Sequence, residues 1–325
     1  MLGAGSWGTA LAIQFARAGH PAVLWARDAT HVATMSRARC NARYLADAPF
    51  PVLLELTADM RAAVTGADEV LVAVPSPALR GLLTVLATLP VRRLAWATKG
   101  FELDTGLLPY QVAAQLLPAS LPTAVLSGPT FAREVGAGLP TAMTIASADQ
   151  DYAQRLAETI STDTFRAYTS SDVVGVEVGG ATKNVYAIGA GICDGLGFGA
   201  NTRIALIARG LAEMTRLGLA LGGRKETFMG LAGMGDLVLT CTDDQSRNRR
   251  FGLALARGKT VADALRDIGQ VVEGYNGARA VQRVAERHNV PMPIVEQLNQ
   301  VLHAGADPRA AVLTLMRRPI SPELG

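Results

Sequence analysis

The sequence predicts an α/β fold: a doubly wound domain over residues 1–171, followed by an all-helical domain over 172–325. Three observations carry this reading. Gly3, Gly5 and Gly8 form a G-x-G-x-x-G pattern at the mouth of a helical segment, the arrangement of a Rossmann-type dinucleotide loop. Short apolar runs then alternate with helical segments as far as residue 169, the rhythm of βαβ units. From about Asp172 only helical patterns remain, led by the stretch EVGGATKNVYAIGAGICD at 177–194. A chain of 325 residues is long for one core, which also favours two domains.

The elements follow in order. Residues 9–18 read as a helix, and Gly19 supplies a left-handed stop. The helix N-terminus would aim its free N–H groups at a pyrophosphate. A second strand is expected over 22–26, and just beyond it lie Arg27 and Asp28. There an acidic residue favours NAD and an arginine accepts the 2′-phosphate of NADP; with both present, the cofactor stays open. A helix near 58–65 leads to a strand at 69–74, apolar throughout as a buried parallel strand should be. Pro75 and Pro77 end it and open the next helix, which runs to about Leu89. Strands at 94–98, 123–127, 141–147 and 165–169 and helices at 109–117 and 149–160 complete the domain. In an open parallel sheet, ligands bind beyond the carboxyl ends of the strands. Pro75, Lys99, Gly128 and Thr130 all fall at such ends.

The 177–194 helix is apolar and small on every side, so it should be buried. Its one internal cation, Lys183, is followed at once by Asn184. A buried ammonium needs a partner or loses its proton. One reading is a core helix with a snorkelling lysine; the other is a catalytic lysine with a lowered pKa. A glycine-rich turn at 195–201, a long helix at 202–217 and a flexible turn at 231–236 follow, with further helices at 247–257, 261–268 and 274–289. Ser246 is the expected N-cap of a helix whose first residues include Arg247, Arg249 and Arg250. Three cations there oppose the helix dipole, so an anion should offset them. That anion is either Asp243 and Asp244 or a bound phosphate.

Composition narrows the classes. The net charge of +3 argues against nucleic acid or a membrane surface as partner. Cys40, Cys193 and Cys241 are odd in number and far apart, which suits a reducing cytosol, with no disulfide framework. The four histidines are scattered, so no metal centre is expected. No run is uncharged for long enough to span a bilayer, since Lys183 interrupts the best one. A dinucleotide site, a lysine able to move a proton and an arginine cluster together point to an NAD(P)-dependent dehydrogenase of a small anionic alcohol.

At this level of detail the chain resembles a known family. GAGSWGTALA at 3–12, TKG at 98–100, SGPTFAREV at 127–135, the segment 180–214, GMGDL at 233–237, SRN at 246–248 and VVEGY at 271–275 are similar to bacterial NAD(P)-dependent sn-glycerol-3-phosphate dehydrogenases. The resemblance spans nearly the whole chain. It implies that Lys183 is the general acid/base at the C2 oxygen, with Asp236 fixing its ammonium and Asn184 nearby. It implies that Lys99 binds and polarises the substrate, that Gly128 and Thr130 line its pocket, and that Ser246, Arg247 and Asn248 hold its phosphate. Besides Gly3, Gly5 and Gly8, the residues Ser6, Trp7, Arg27, Ala132, Val271 and Glu273 would contact NAD or NADP, with Lys99 and Arg247 close by. The implied reaction reduces dihydroxyacetone phosphate to sn-glycerol 3-phosphate, for phospholipid synthesis in the cytoplasm. Two rival readings stand beside it: a hydroxyacid dehydrogenase of the 6-phosphogluconate type, and a non-catalytic NAD(H)-binding sensor. The sequence does not give the oligomeric state; a homodimer is the working expectation. One departure from the family concerns the first strand, of which only Met1 and Leu2 precede the glycine loop. The strands flanking that position are therefore expected to carry unpaired backbone groups unless residues upstream of Met1 complete it.

Overall fold

The structure, a computed structural model, describes residues 1–320 and Pro322. The chain forms two compact units, Met1–Lys99 with Pro109–Val173 and Gly100–Leu108 with Val174–Gly325.

In the first unit the order is α1 (Ser6–Arg17), β1 (Ala22–Trp25), α2 (Ala29–Ala38), β2 (Cys40–Asn41), β3 (Leu45–Pro49), β4 (Leu54–Thr57), α3 (Met60–Val64), β5 (Val70–Val72), α4 (Ser76–Leu86), β6 (Leu94–Trp96), α5 (Pro109–Leu116), β7 (Thr123–Ser127), α6 (Ala132–Ala137), β8 (Thr141–Ala146), α7 (Gln150–Ile160) and β9 (Phe165–Ser170). α1 buries its Ala, Leu and Ile face, and Gly19 ends it at φ +89°. β1 pairs in parallel with β4, and β5, β6 and β7 run parallel to one another. The expected row of unpaired groups beside the glycine loop is not found. Leu2 bridges both Trp25 of β1 and Val72 of β5. Its N–H donates to Leu71 O at 2.7 Å, Ala73 N–H donates to its carbonyl at 2.9 Å, and Trp25 N–H donates to Met1 O at 2.8 Å. With Gly3 N–H donating to Trp25 O at 3.1 Å, Met1, Leu2 and Gly3 thus pair in the strand position between β1 and β5.

The sheet is not parallel throughout, as the sequence reading takes it to be. β8 runs antiparallel to β7, and β9 then pairs in parallel with β8. The β7–β8 connection holds only the six-residue α6, which packs on α1 and β3. A helix so short and so placed does not act as a sheet-covering crossover.

The second unit is helical: α8 (Val173–Gly195), α9 (Ala200–Ala220), α10 (Lys225–Phe228), α11 (Asp236–Thr242), α12 (Arg247–Ala256), α13 (Val261–Ile268), α14 (Glu273–Arg287), α15 (Pro293–His303) and α16 (Pro308–Met316). α8 is buried along nearly its whole length, as its composition requires. Its small residues have a specific use. A Cβ on Gly191 would overlap Arg249 O, and one on Gly252 would overlap Ile188 O, so α8 and α12 cross with their backbones touching. The stretch 231–236, expected to be a flexible turn, is a π-helical turn over Leu231–Gly235 running directly into α11. It is wound against α8, where a Cβ on Gly179 would overlap Ala232 O. π-Turns of this kind collect at functional sites.

Candidate active site

The glycine loop sits where β1, Leu2 and β5 end. Gly3 has φ +115°, and a Cβ on it would lie 2.6 Å from Ala73 O. A Cβ on Gly8 would overlap Gly3 O. Those two glycines are demanded by the protein's own packing. Gly5 is different, because a Cβ there would meet no protein atom within 4 Å. Gly5 is also the N-cap of α1, no side chain caps that helix, and no acidic residue sits in its first turn. A helix start with no side-chain cap, beside a glycine that the protein's own packing does not require, fits the pyrophosphate of a dinucleotide. Ser6 adds a hydrogen bond from its hydroxyl to Tyr44 O at 2.9 Å, while Trp7 is half-buried.

Arg27 is exposed just past β1. Its neighbour Asp28 is committed to α2, whose first N–H groups, Thr30 at 2.9 Å and His31 at 3.3 Å, donate to its carboxylate. Lys99 follows β6, with Thr98 beside it donating to Val74 O at 2.8 Å. Gly128 follows β7 with φ +150°, and a Cβ there would lie 2.9 Å from Met143 Cα. Thr130 donates to Gly128 O at 3.3 Å, and Ala132 opens α6. Asn41, which sequence reasoning passed over, is fully buried and donates to Ala4 O at 3.0 Å and Thr9 Oγ1 at 2.8 Å. It ties the β2–β3 hairpin to the glycine loop; no sequence period marks so short a strand.

In the helical unit, Lys183 is buried and its ammonium is paired with Asp236 Oδ1, itself 1% exposed. Asp236 opens α11 at the end of the π-turn, and Thr240 donates to its backbone carbonyl at 2.5 Å. Asn184 donates to Glu273 Oε2 at 2.9 Å and accepts from Asn248 Nδ2 at 2.9 Å. Asn248 Oδ1 in turn accepts from Gly274 N–H at 2.9 Å. A Cβ on Gly274 would overlap Asn184 O, so the start of α14 lies hard against α8 at this point. One chain of hydrogen bonds therefore joins α8, α12 and α14 at the residue following the lysine. Val271 is exposed one step before the N-cap of α14.

Ser246 is the N-cap of α12, as expected, accepting from Arg249 N–H at 3.2 Å. The three arginines divide. Arg249 is buried, its guanidinium paired with Asp194 at 2.6 Å and also with Asp244. Arg250 is exposed, and Arg247 is half-buried beside Gln270 Oε1 at 3.5 Å. Asp244 thus offsets one arginine, while Asp243 instead accepts from Gln245 N–H at 2.7 Å. Arg247 is not paired with either aspartate in these contacts, and with the capped turn it could hold an external anion. Two of the cysteines are held as thiols by burial, which pushes Cys193 up to about 11 and raises Cys241 further. Among the described residues no group of three or more His, Cys, Asp or Glu is placed to hold a metal ion, and no helix is long and apolar enough to cross a membrane.

Comparison with known proteins bears on the chain as a whole. Residues 1–153 match the family model for the N-terminus of NAD-dependent glycerol-3-phosphate dehydrogenase, and residues 172–313 match the one for its C-terminus. Glycerol-3-phosphate dehydrogenase [NAD(P)+] of Aeromonas salmonicida (strain A449) is 54% identical over 98% of this chain and 96% of its own. The protein of the same description from Escherichia coli O1:K1 / APEC is 54% identical over 98% and 95%. A crystal structure of glycerol-3-phosphate dehydrogenase from Coxiella burnetii superposes with a TM-score of 0.94 at 45% identity, covering 98% of both chains. Over both of its units, then, the chain belongs to the NAD-dependent glycerol-3-phosphate dehydrogenase family.

Proposed function

We propose that the chain interconverts dihydroxyacetone phosphate and sn-glycerol 3-phosphate with NAD(P), using Lys183 as general acid/base. The observation that carries this reading is the buried Lys183–Asp236 pair, next in sequence to an Asn184–Asn248 bond that ties it to the first turn of α12. Bound NAD(P)H supplies the hydride for C2. In the direction of reduction, Lys183 Nζ donates to the C2 oxygen and gives up its proton as the alkoxide would form. Asp236, paired with that nitrogen, holds it in place. Ser246, Arg247 and Asn248 take the phosphate, so that reacting and anchoring groups are set by one hydrogen-bonded network.

In this reading the first unit binds the dinucleotide through Gly3, Gly5, Ser6, Trp7, Gly8, Arg27 and Ala132, with Lys99, Gly128 and Thr130 serving the substrate. The helical unit supplies the catalytic lysine and the phosphate site, and Val271 and Glu273 meet the cofactor. A homodimer in the cytoplasm, supplying glycerol 3-phosphate for phospholipid synthesis, is part of the same proposal. The test is oxidation of NADH and NADPH with dihydroxyacetone phosphate or ketopantoate, beside reduction of NAD+ and NADP+ with 6-phosphogluconate. Turnover confined to dihydroxyacetone phosphate supports the reading; equal or better turnover of 6-phosphogluconate overturns it.

A further inference from the structure

We propose that Asp194 is a positioning residue for the substrate-phosphate site, acting through Arg249; the inference rests on the assignment of that site to Ser246, Arg247 and Asn248. Asp194 lies on the last turn of α8, where a negative charge opposes the helix dipole. It is kept there by two guanidinium groups: Arg203 of α9 at 2.9 and 3.0 Å, and Arg249 of α12 at 2.6 Å. Arg249 carries the complementary misfit, a buried cation in the first turn of a helix. Each charge thus occupies the wrong end of its own helix and is compensated by the other. A buried ion pair is weak evidence for added stability, but it fixes geometry strongly, since removing one member leaves the other uncompensated.

Fixing Arg249 has a specific consequence. Its backbone N–H is the one that Ser246 caps, and the preceding residue, Asn248, is tied to Asn184 and Gly274. Arg249 also holds Asp244 from the approaching loop. The backbone of Ser246–Arg247–Asn248 is thus clamped on both sides, while the Arg247 guanidinium lies beside Gln270 Oε1. Neutralising Arg249 internally leaves the field of the turn and the Arg247 guanidinium to the substrate's phosphate. Without the clamp the turn must bind phosphate from a broader set of conformations, at a cost in affinity for the phosphorylated substrate in particular.

The experiment compares KM for dihydroxyacetone phosphate and for unphosphorylated dihydroxyacetone in the parent, Asp194→Asn, Asp194→Glu and Arg247→Ala. The expected result is that Asp194→Asn raises KM for the phosphorylated substrate about tenfold more than for dihydroxyacetone, the scale of one hydrogen bond to an anion. Asp194→Glu should recover much of the difference. Should Asp194→Asn fail to fold, Arg249→Lys is the readout, since an ammonium cannot span Asp194 and Asp244 as the guanidinium does; it should show the same phosphate-selective loss. Equal losses on the two substrates, or none, overturn the role of Asp194 while Arg247→Ala still shows a selective loss. Absence of a selective loss in Arg247→Ala as well removes the phosphate assignment itself, and the inference with it.

Discussion

Glu213 is a buried carboxyl that the chemistry does not use, and it makes stability depend on pH in a calculable direction. It sits on α9 at 2% exposure, accepting from Ile294 N–H at 2.8 Å and facing the Tyr186 hydroxyl at 3.4 Å. In effect it caps α15, whose own N-cap, Met292, has no side chain to do so. Burial pushes its pKa from 4.5 to about 7, with Glu296 adding to the rise, against the Ile294 and Val295 N–H groups and Arg216. The folded state therefore binds the proton more tightly than the unfolded chain. Between pH 4.5 and about 7 this carboxyl holds more of its proton in the folded state than in the unfolded one, so its contribution to stability falls as pH rises through that window and levels off above it. At about 1.4 kcal/mol per pKa unit, the full loss is about 3 kcal/mol. Glu213→Gln keeps an acceptor for Ile294 N–H and removes the ionisation. In urea unfolding from pH 5 to 8.5, the variant should gain on the parent by about 2.5 kcal/mol, the part of the window that lies above pH 5. A difference that stays constant with pH would refute the reasoning.

Three further outcomes follow from the site. Arg27→Ala should weaken NADPH binding more than NADH binding, because Asp28 is committed to capping α2 and Arg27 is the exposed group past β1; equal weakening in a fluorescence titration makes Arg27 a general contact. Arg247→Ala should cost roughly 1.5–3 kcal/mol in kcat/KM for dihydroxyacetone phosphate, the worth of one charge-assisted bond, and much less for dihydroxyacetone. Gly252→Ala puts a methyl onto Ile188 O, so thermal unfolding should show a loss of about 1–3 kcal/mol from overpacking; parent-like stability would mean that the α8–α12 crossing is not so tight.

Much of the site was legible because its residues are chemically out of place in their local patterns. Lys183 stands alone in an apolar helix, and the arginines of α12 oppose its dipole; each anomaly marks a group whose partner is elsewhere. The glycine loop was legible because turn, close approach and helix start all demand glycine at fixed spacing. What escaped was what depends on distant partners. Asn41 lies in a two-residue strand that carries no period. Asp194 and Glu213 look like ordinary helical acids until Arg249 and Ile294 are seen beside them. The reversal of β8 depends on where α6 packs, and the pairing of Leu2 depends on two strands far along the chain.

The central claim is that Lys183 moves the proton while the rest of the site binds. Lys183→Met tests it most directly, with the variant's fold checked by circular dichroism and its NADH Kd measured alongside kcat. General acid catalysis contributes about 10²–10⁴-fold, and loss of the ammonium's charge stabilisation adds to that. The account predicts a kcat lowered by at least that range in a folded protein whose NADH affinity is little changed. A folded variant that binds NADH and turns over at near the parent rate would contradict it.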